Sequence, residues 1–452
     1  MLKTNLNLEN HRNMPGPNSL PRLLTGLDGG VVTLEDHMDI WGELPIFKDS
    51  RTFIELLDES GLRGHGGAWF LVGAKWRSIL NYARSNNIVI IGNATEGEPG
   101  SKKDKLLVTR APHLVIDGLM LAAAALKTSD VFLCVDEGVA SFLKSELNKR
   151  QKLKMDRVRV KVISVPSLFI SGEESALVNY INGNGVGIPL FKSISPIREK
   201  GAFGKPTLVQ NVETLAQVAV LARFGAHNFR ALGSKGGVGT GLMTVIGGVK
   251  EPGVVEISLG SPLKDAIDKA GGLVQGFESI LIGGYGGAWI DGTKALELSL
   301  TEQSLQAVGG TLGAGIIGVL PNDYCPLGVT ARIVDYLTKV RARQCGPCEF
   351  GLPLISATLH QLAIGRRTPN LVNDLLEWCA LVESRGNCKH PDGVARLVRS
   401  TLKVFKEDID QHLKRGSCKR RIDPMPFPIP NVSIERHVRN GLDQARKVIA
   451  RR

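Results

Sequence analysis

One stretch constrains this chain more than any other: the run from Gly61 to Trp76, in which Gly61, Gly64, Gly66, Gly67 and Gly73 are spaced through a single loop that ends at Lys75. Glycines at this density leave the backbone bare, so its amides approach a bound group closely, and the lysine just beyond supplies a point charge of the kind a phosphate needs. Phe53 to Leu57 has the apolar spacing of a helix that Gly61 would end as a left-handed cap, delivering the chain into the loop. Lys75 to Arg84 then reads as a second helix, whose positive end and free amides would face the same anion.

Downstream, short apolar β runs alternate with helical patterns. Ile88 to Ile91, Val131 to Val135 and Val158 to Val165 read as strands; His113 to Leu126 and Ala140 to Leu153 read as helices. Strict alternation of this kind predicts a parallel, Rossmann-like sheet. The polar segments Asn93 to Glu98 and Ser171 to Glu174 follow strand ends, where open α/β sheets bind ligands. From Gly241 the texture changes to short β patterns (Met243 to Ile246, Gly253 to Ile257, Ser279 to Ile282) with one helix near Leu263 to Ala270. After Asp323, four segments have helical spacing: Val329 to Arg343, Gly351 to Leu362, Leu371 to Val382 and Val394 to Asp410. The expected division is an arm (1–50), an α/β domain (51–236), a small β domain (237–328), a four-helix cap (329–413) and a basic, proline-punctuated tail (414–452) ending in a short helix.

At 452 residues and 43% hydrophobic, the chain is long enough for several packed cores and does not have the composition of a disordered protein. No apolar run spans a bilayer, since Leu114 to Leu126 is too short, and the first residues lack the apolar core of a signal peptide. The expected location is cytoplasmic. Seven cysteines with one tight pair do not form a disulfide framework. The net charge of +12 favours acidic partners, and the absence of a nucleic-acid reading motif argues against DNA or RNA.

Four segments recur in a known order: the glycine loop, Asn93 to Gly100, Ser171 to Leu177, and Gly204 to Thr207 leading into Asn211 to Thr214. With the cysteine pair Cys345 and Cys348, the chain resembles the flavin-binding subunit of respiratory complex I and its counterparts in NAD-linked hydrogenases and formate dehydrogenases, over roughly residues 50 to 400. The resemblance implies an FMN domain followed by a β-grasp domain of the SLBB type and a helical iron-sulfur domain. It implies that Gly64, Gly66, Gly67, Lys75, Asn211 and Thr214 serve the FMN phosphate, and that Asn93, Glu96, Gly172, Glu173 and Glu174 border the ring and ribityl chain. Glu98 and Glu173 are the catalytic candidates, and NADH or NADPH the hydride donor. Glu173 and Glu174 also suit the start of a helix without any ligand. The implied partner is a ferredoxin-like or thioredoxin-like-fold electron-transfer subunit, acidic where it docks, within a larger redox complex.

Several family positions differ. His65 stands for arginine, Trp69 for glycine, Leu71 for proline, Thr95 for aspartate, Phe169 for tyrosine, Gln210 for asparagine, Ser195 for a phenylalanine and Ala342 for the first of four cluster cysteines. Trp69 has the bulk to fill the nucleotide pocket or to offer a new stacking face. Cys345, Cys348 and Cys388 remain as metal ligands. Three thiolates allow a 3Fe-4S cluster, a 4Fe-4S cluster completed by a non-cysteine ligand, zinc shared with His390, or no metal. Cys134, Cys325, Cys379 and Cys418 read as small buried residues. A non-catalytic scaffold built on the same fold is the alternative to an oxidoreductase.

Overall fold

The computed structural model describes residues 14–27, 30–82, 87–191, 195–234, 236–366 and 368–431. The helix expected at the C-terminal end lies outside these residues, as does the last part of the one expected to reach Arg84.

Strands β1 (Val89–Ala94), β2 (Asp130–Asp136), β3 (Val160–Val165) and β4 (Thr207–Asn211) form a wholly parallel sheet in the order β3-β2-β1-β4. Alternation of side chains explains why both faces are apolar. Ile90, Val131, Leu133 and Leu208 pack under the helices Pro112–Leu126 and Val212–Phe229, whereas Val89, Ile91, Phe132 and Val209 pack under Glu174–Ile181. The two long helices cross closely, because a Cβ on Gly118 would lie 2.1 Å from the Leu215 carbonyl oxygen. Among the described residues no single helix is long and apolar enough to cross a membrane; Lys103–Arg110 and Pro112–Leu126 pass that test only as a pair, bent by 95°.

After a two-strand ribbon, β5 (Gly233–Ser234) with β6 (Gly237–Val238), comes a mixed sheet. Its members β7 (Thr240–Gly247), β8 (Gly253–Ser258), β9 (Phe277–Ile282), β10 (Ala288–Asp291) and β11 (Ile316–Pro321) run in the order β10-β9-β11-β7-β8, with Leu263–Lys269 packed against it. The helical cap contains Pro326–Lys339, Leu352–Ala363, Leu371–Val382, His390–Val404 and Lys406–Arg415. The last two correct the expectation of one helix from Val394 to Asp410. The chain breaks at Phe405 (φ −103°, ψ 42°), whose buried ring packs edge-on against Trp289 at 5.4 Å. Trp289 also donates from its indole to Thr330 Oγ1 at 3.0 Å, fastening the cap to the mixed sheet.

The arm is bound to the α/β core by a buried charge cluster. Asp117 accepts from Arg150 (2.7 Å) and Arg223 (2.6 Å) and lies 3.0 Å from His37 Nε2, all four side chains being buried. Burial alone would raise the Asp117 carboxyl, but Arg223, His37 and Arg150 hold it far below the usual carboxylate range. Arg223 also donates to the Trp41 carbonyl at 2.8 Å, so one anion ties the Leu34–Trp41 helix to two core helices. Removing Asp117 leaves the buried Arg223 guanidinium with only backbone carbonyls as hydrogen-bond partners, while Arg150 keeps Asp156 at 2.8 Å. Asp117→Ala is therefore expected to cost about 3–5 kcal/mol in urea unfolding; a cost below about 1 kcal/mol would show that water relieves the Arg223 guanidinium.

Candidate functional site

Strand order reverses between β1 and β4, and the crevice beyond their carboxyl ends opens into a cavity of about 670 Å³. All three layers contribute to it. The α/β layer supplies Gly64, Gly66, Gly67, Lys75, Asn93, Glu98, Gly172, Glu173, Glu174 and Asn211; the mixed sheet supplies Gly283, Gly286, Thr311 and Gly313; the cap supplies Leu337, Cys388, His390 and Arg396. Glu96 and Thr214, expected beside the ligand, are not in the lining.

The glycine loop closes on itself. Gly64 N donates to the Phe70 carbonyl (2.8 Å) and Val72 N to that of Leu62 (2.9 Å), while His65 N donates to Thr214 Oγ1 (2.8 Å). Thr214 thus spends its hydroxyl on the loop. Gly67 has φ +105° and no atom within 4 Å of where a Cβ would stand, so its backbone faces open space. The Val72–Leu80 helix that follows has no side-chain cap, its first amide being taken by the Leu62 carbonyl. Lys75 is less free than its sequence suggests: its ammonium donates to the Val209 carbonyl (2.7 Å) and pairs with Glu174 (2.9 Å). Asn211 caps the Val212–Phe229 helix, its Oδ1 accepting from the amides of Glu213 (2.9 Å) and Thr214 (3.4 Å).

The two polar loops meet backbone to backbone. A Cβ on Gly97 would be 2.4 Å from the Phe169 oxygen, and one on Gly172 2.6 Å from that of Thr95. Asn93 clips them together, donating to the Gly172 carbonyl (2.9 Å) while its Oδ1 accepts from the Thr95 hydroxyl (2.6 Å). Glu96 turns away to hold the start of the Lys103–Arg110 helix, accepting from the amides of Asp104 (3.1 Å) and Lys105 (3.0 Å). Glu173 caps the Glu174–Ile181 helix through Ala176 N (2.8 Å). Glu98 remains as the carboxyl set into the wall. It accepts from Tyr285 N at 3.0 Å, and Gly284 leaves it room, since a Cβ there would be 3.0 Å from Oε2. Desolvation outweighs that hydrogen bond and pushes the Glu98 carboxyl up to about 7.

Trp69 does not fill the cavity. It stands at φ +49°, a conformation that suits the glycine of the family pattern, and its buried indole donates to the Gly313 carbonyl (3.0 Å) within the core of the mixed sheet. Its ring meets that of His65 at 4.6 Å. Trp69 therefore binds the loop to the second layer while presenting only part of its surface to the cavity. Trp76 is fully buried and donates to Gln210 Oε1 at 3.1 Å. Ser195 is exposed and outside the lining.

The cysteine loop lies alongside. Cys348 is buried, with its sulfur accepting from Arg343 N at 3.2 Å; Cys345 and Cys388 are half-buried. Burial pushes the Cys388 thiol up to about 11, with Glu173, Cys348 and Cys345 near enough to add to the effect. His390 is committed elsewhere, its Nε2 lying 2.8 Å from the Leu337 carbonyl. Among the described residues, the group whose ligand atoms come within the spacing of one ion is not this one but Cys325, His412 and Cys418. Cys325 and Cys418 still pack as the small residues expected, Cys325 within the core of the cap and Cys418 against it. The donor set of Cys345, Cys348 and Cys388 suits a polynuclear cluster, whose irons are bridged by its own sulfide and do not require thiolates in mutual contact.

A parallel sheet with a glycine loop at its switch point, a β-grasp layer and a cysteine-bearing helical cap together define a flavoprotein subunit of the iron-sulfur class. Family models agree segment by segment: the Nuo51 FMN-binding domain matches residues 57–220, the SLBB domain 242–279, and the NADH-ubiquinone oxidoreductase-F iron-sulfur binding region 328–412. Across these segments the chain is similar to the flavin- and NADH-binding subunits of respiratory complex I and NAD-linked hydrogenases. It is 28% identical over 428 residues to the F subunit of NADH-quinone oxidoreductase in Buchnera aphidicola, covering 87% of this chain and 94% of the relative. With the Escherichia coli counterpart it shares 28% over 383 residues, covering 80% and 84%. A solved NAD+-reducing [NiFe]-hydrogenase in the air-oxidized state superposes with a TM-score of 0.77 at 26% identity, over 95% of this chain and 72% of that one.

Because Glu98 holds its proton more tightly folded than unfolded, stability tied to this group is full below the ordinary carboxyl value of 4.5 and is lost as pH rises toward and past about 7. Glu98→Gln should flatten that fall in melting temperature. An unchanged slope would mean that water reaches the carboxylate and solvates it.

Proposed function

We propose that this chain is the nucleotide-oxidising subunit of a redox assembly, carrying electrons between NADH or NADPH and an iron-sulfur protein. One observation carries the reading: Cys388 belongs both to the cavity wall and to the thiol group of Cys345 and Cys348, so a flavin site and a cluster site share a boundary. When bound, FMN would accept a hydride and give up its electrons singly.

The remaining work falls to side chains and backbone already described. Amides of Gly66 and Gly67, with Lys75, hold the phosphate, while Gly64 lines the wall with its own amide closing the loop on Phe70. Asn93, Gly172 and Glu174 border the ligand's polar edge, and Glu173 fixes the height of that loop through its cap. Glu98, with a value of about 7, is able to keep or release a proton near neutral pH at Oε2, the oxygen facing Gly284. The mixed sheet and cap close the cavity from two further sides, which limits water and strengthens these interactions. Cys345, Cys348 and Cys388 hold the iron-sulfur centre, either 3Fe-4S or 4Fe-4S with one iron lacking a cysteine, because Ala342 offers no thiolate.

The surplus of positive charge supports an acidic ferredoxin-like or thioredoxin-like-fold partner, drawn in by long-range attraction. The seven cysteines are all free, which supports a reducing, cytoplasmic setting.

Anaerobic purification followed by visible spectra during NADH and then NADPH addition tests the reading. Bleaching of the flavin band, with bound iron, is expected. Neither flavin nor iron after reconstitution would favour the scaffold. Cys345→Ser should remove the broad visible absorption and the iron while leaving the flavin bands; unchanged iron would take Cys345 off the ligand list.

A further inference from the structure

Away from the cavity, Cys325, His412 and Cys418 bring two sulfurs and an imidazole nitrogen within 4.8 Å of one another. Cys325 Sγ and His412 Nε2 are 3.5 Å apart. Each donor is placed by the backbone. Cys325 caps the Pro326–Lys339 helix, its sulfur accepting from Gly328 N at 3.3 Å. His412 sits in the last turn of Lys406–Arg415, which Gly416 ends at φ +84°. The chain then turns back as a strap: Cys325 N donates to the Arg421 carbonyl (2.7 Å), Arg421 N to that of Asp323 (3.1 Å), and the Arg421 guanidinium covers the Tyr324 ring at 4.1 Å. These contacts set Cys418 beside the other two donors.

Geometry and charge both favour a metal. Tetrahedral zinc with sulfur at about 2.3 Å and nitrogen at about 2.0–2.1 Å has a sulfur-to-nitrogen edge of about 3.6 Å. The observed separation is close to that edge. Two thiolates cancel the charge of a divalent ion and a neutral imidazole adds none, so the filled site brings no net charge into a mostly buried place.

We propose that Cys325, His412 and Cys418 form a mononuclear site for a thiophilic divalent cation, zinc above all, with water in the fourth position on the partly open side of Cys418. Binding replaces two S–H bonds with two metal–sulfur bonds, releases two protons and transfers no electrons. The ion fastens the root of the strap to the helical cap. From there the strap carries Phe427 into the core beneath the mixed sheet and offers the Pro428 carbonyl to the Tyr285 hydroxyl.

Cobalt(II) is the probe, added to the full chain after reduction and removal of bound metal. One equivalent should give thiolate-to-cobalt charge-transfer absorption with tetrahedral visible bands, displaced by zinc. The bands should survive in a Cys345→Ser/Cys348→Ser double variant and vanish in Cys418→Ser. Retention in Cys418→Ser, or loss in the double variant, overturns the proposal. On the unsubstituted chain, zinc should protect Cys418 from alkylation while Cys345 stays reactive. Equal labelling with and without zinc overturns it too, as does a Cys325–Cys418 disulfide that, once reduced, yields a chain binding no cobalt.

Discussion

The walls of the cavity depend on one buried chain of charges. His65 Nδ1 lies 2.9 Å from Glu213 Oε1, the other Glu213 oxygen pairs with Lys103 (2.9 Å), Lys103 pairs with Asp104 (2.8 Å), and Asp104 accepts from Asn211 Nδ2 (2.7 Å). Leu242 N donates to Glu213 at 2.8 Å, extending the chain into the mixed sheet. Four segments distant in sequence are thereby fixed: the glycine loop, the helix after the acidic loop, the junction of β4 with the helix that follows it, and β7. Burial opposes the Glu213 charge, yet His65 and Lys103 hold its carboxyl down at about 2. Lys103 in turn is held above its ordinary range against burial by Asp104 and Glu213. Such a network is weak as a source of stability but strict as a specification, since removing one member strands the next.

This network accounts for two departures from the family pattern together. With His65 reaching inward to Glu213, its ring offers a face to Trp69, and the indole finds its hydrogen-bond partner across the layer boundary at Gly313. An aromatic at φ +49° costs on the order of 1 kcal/mol, which burial in the mixed-sheet core offsets. The bulk that sequence places at the ligand is absorbed by the joint between domains.

The parallel sheet and the helix ended by Gly61 were legible because short apolar runs alternating with helical patterns, and glycine caps, are local signals. So was the gathering of Gly64, Gly66, Gly67, Asn93, Glu98 and Gly172 on one cavity, because their order along the chain matches a known pattern. Glu96 and Thr214 lie outside the lining for a different reason. Both sit inside motifs that line the site, but each side chain turns to a backbone amide from another segment, and spacing does not reveal which way a side chain turns. The break at Phe405 has no glycine or proline to announce it; the ring is drawn into the core against Trp289. Cys325 and His412 are 87 residues apart in sequence, and nothing short of the folded strap brings them together.

Tyr285 shows why the strap matters to the site. Its amide donates to Glu98 in the cavity wall, its ring stands perpendicular to that of Tyr336 at 6.3 Å, and its hydroxyl donates to the Pro428 carbonyl. The position of the most perturbed carboxyl in the cavity is thus linked to a segment more than three hundred residues away, through one side chain that has little freedom to move. A looser strap would free the tyrosine, let water reach Glu98 and return its carboxyl toward the ordinary range. What holds the strap therefore bears on the chemistry, although no residue of the strap lines the cavity.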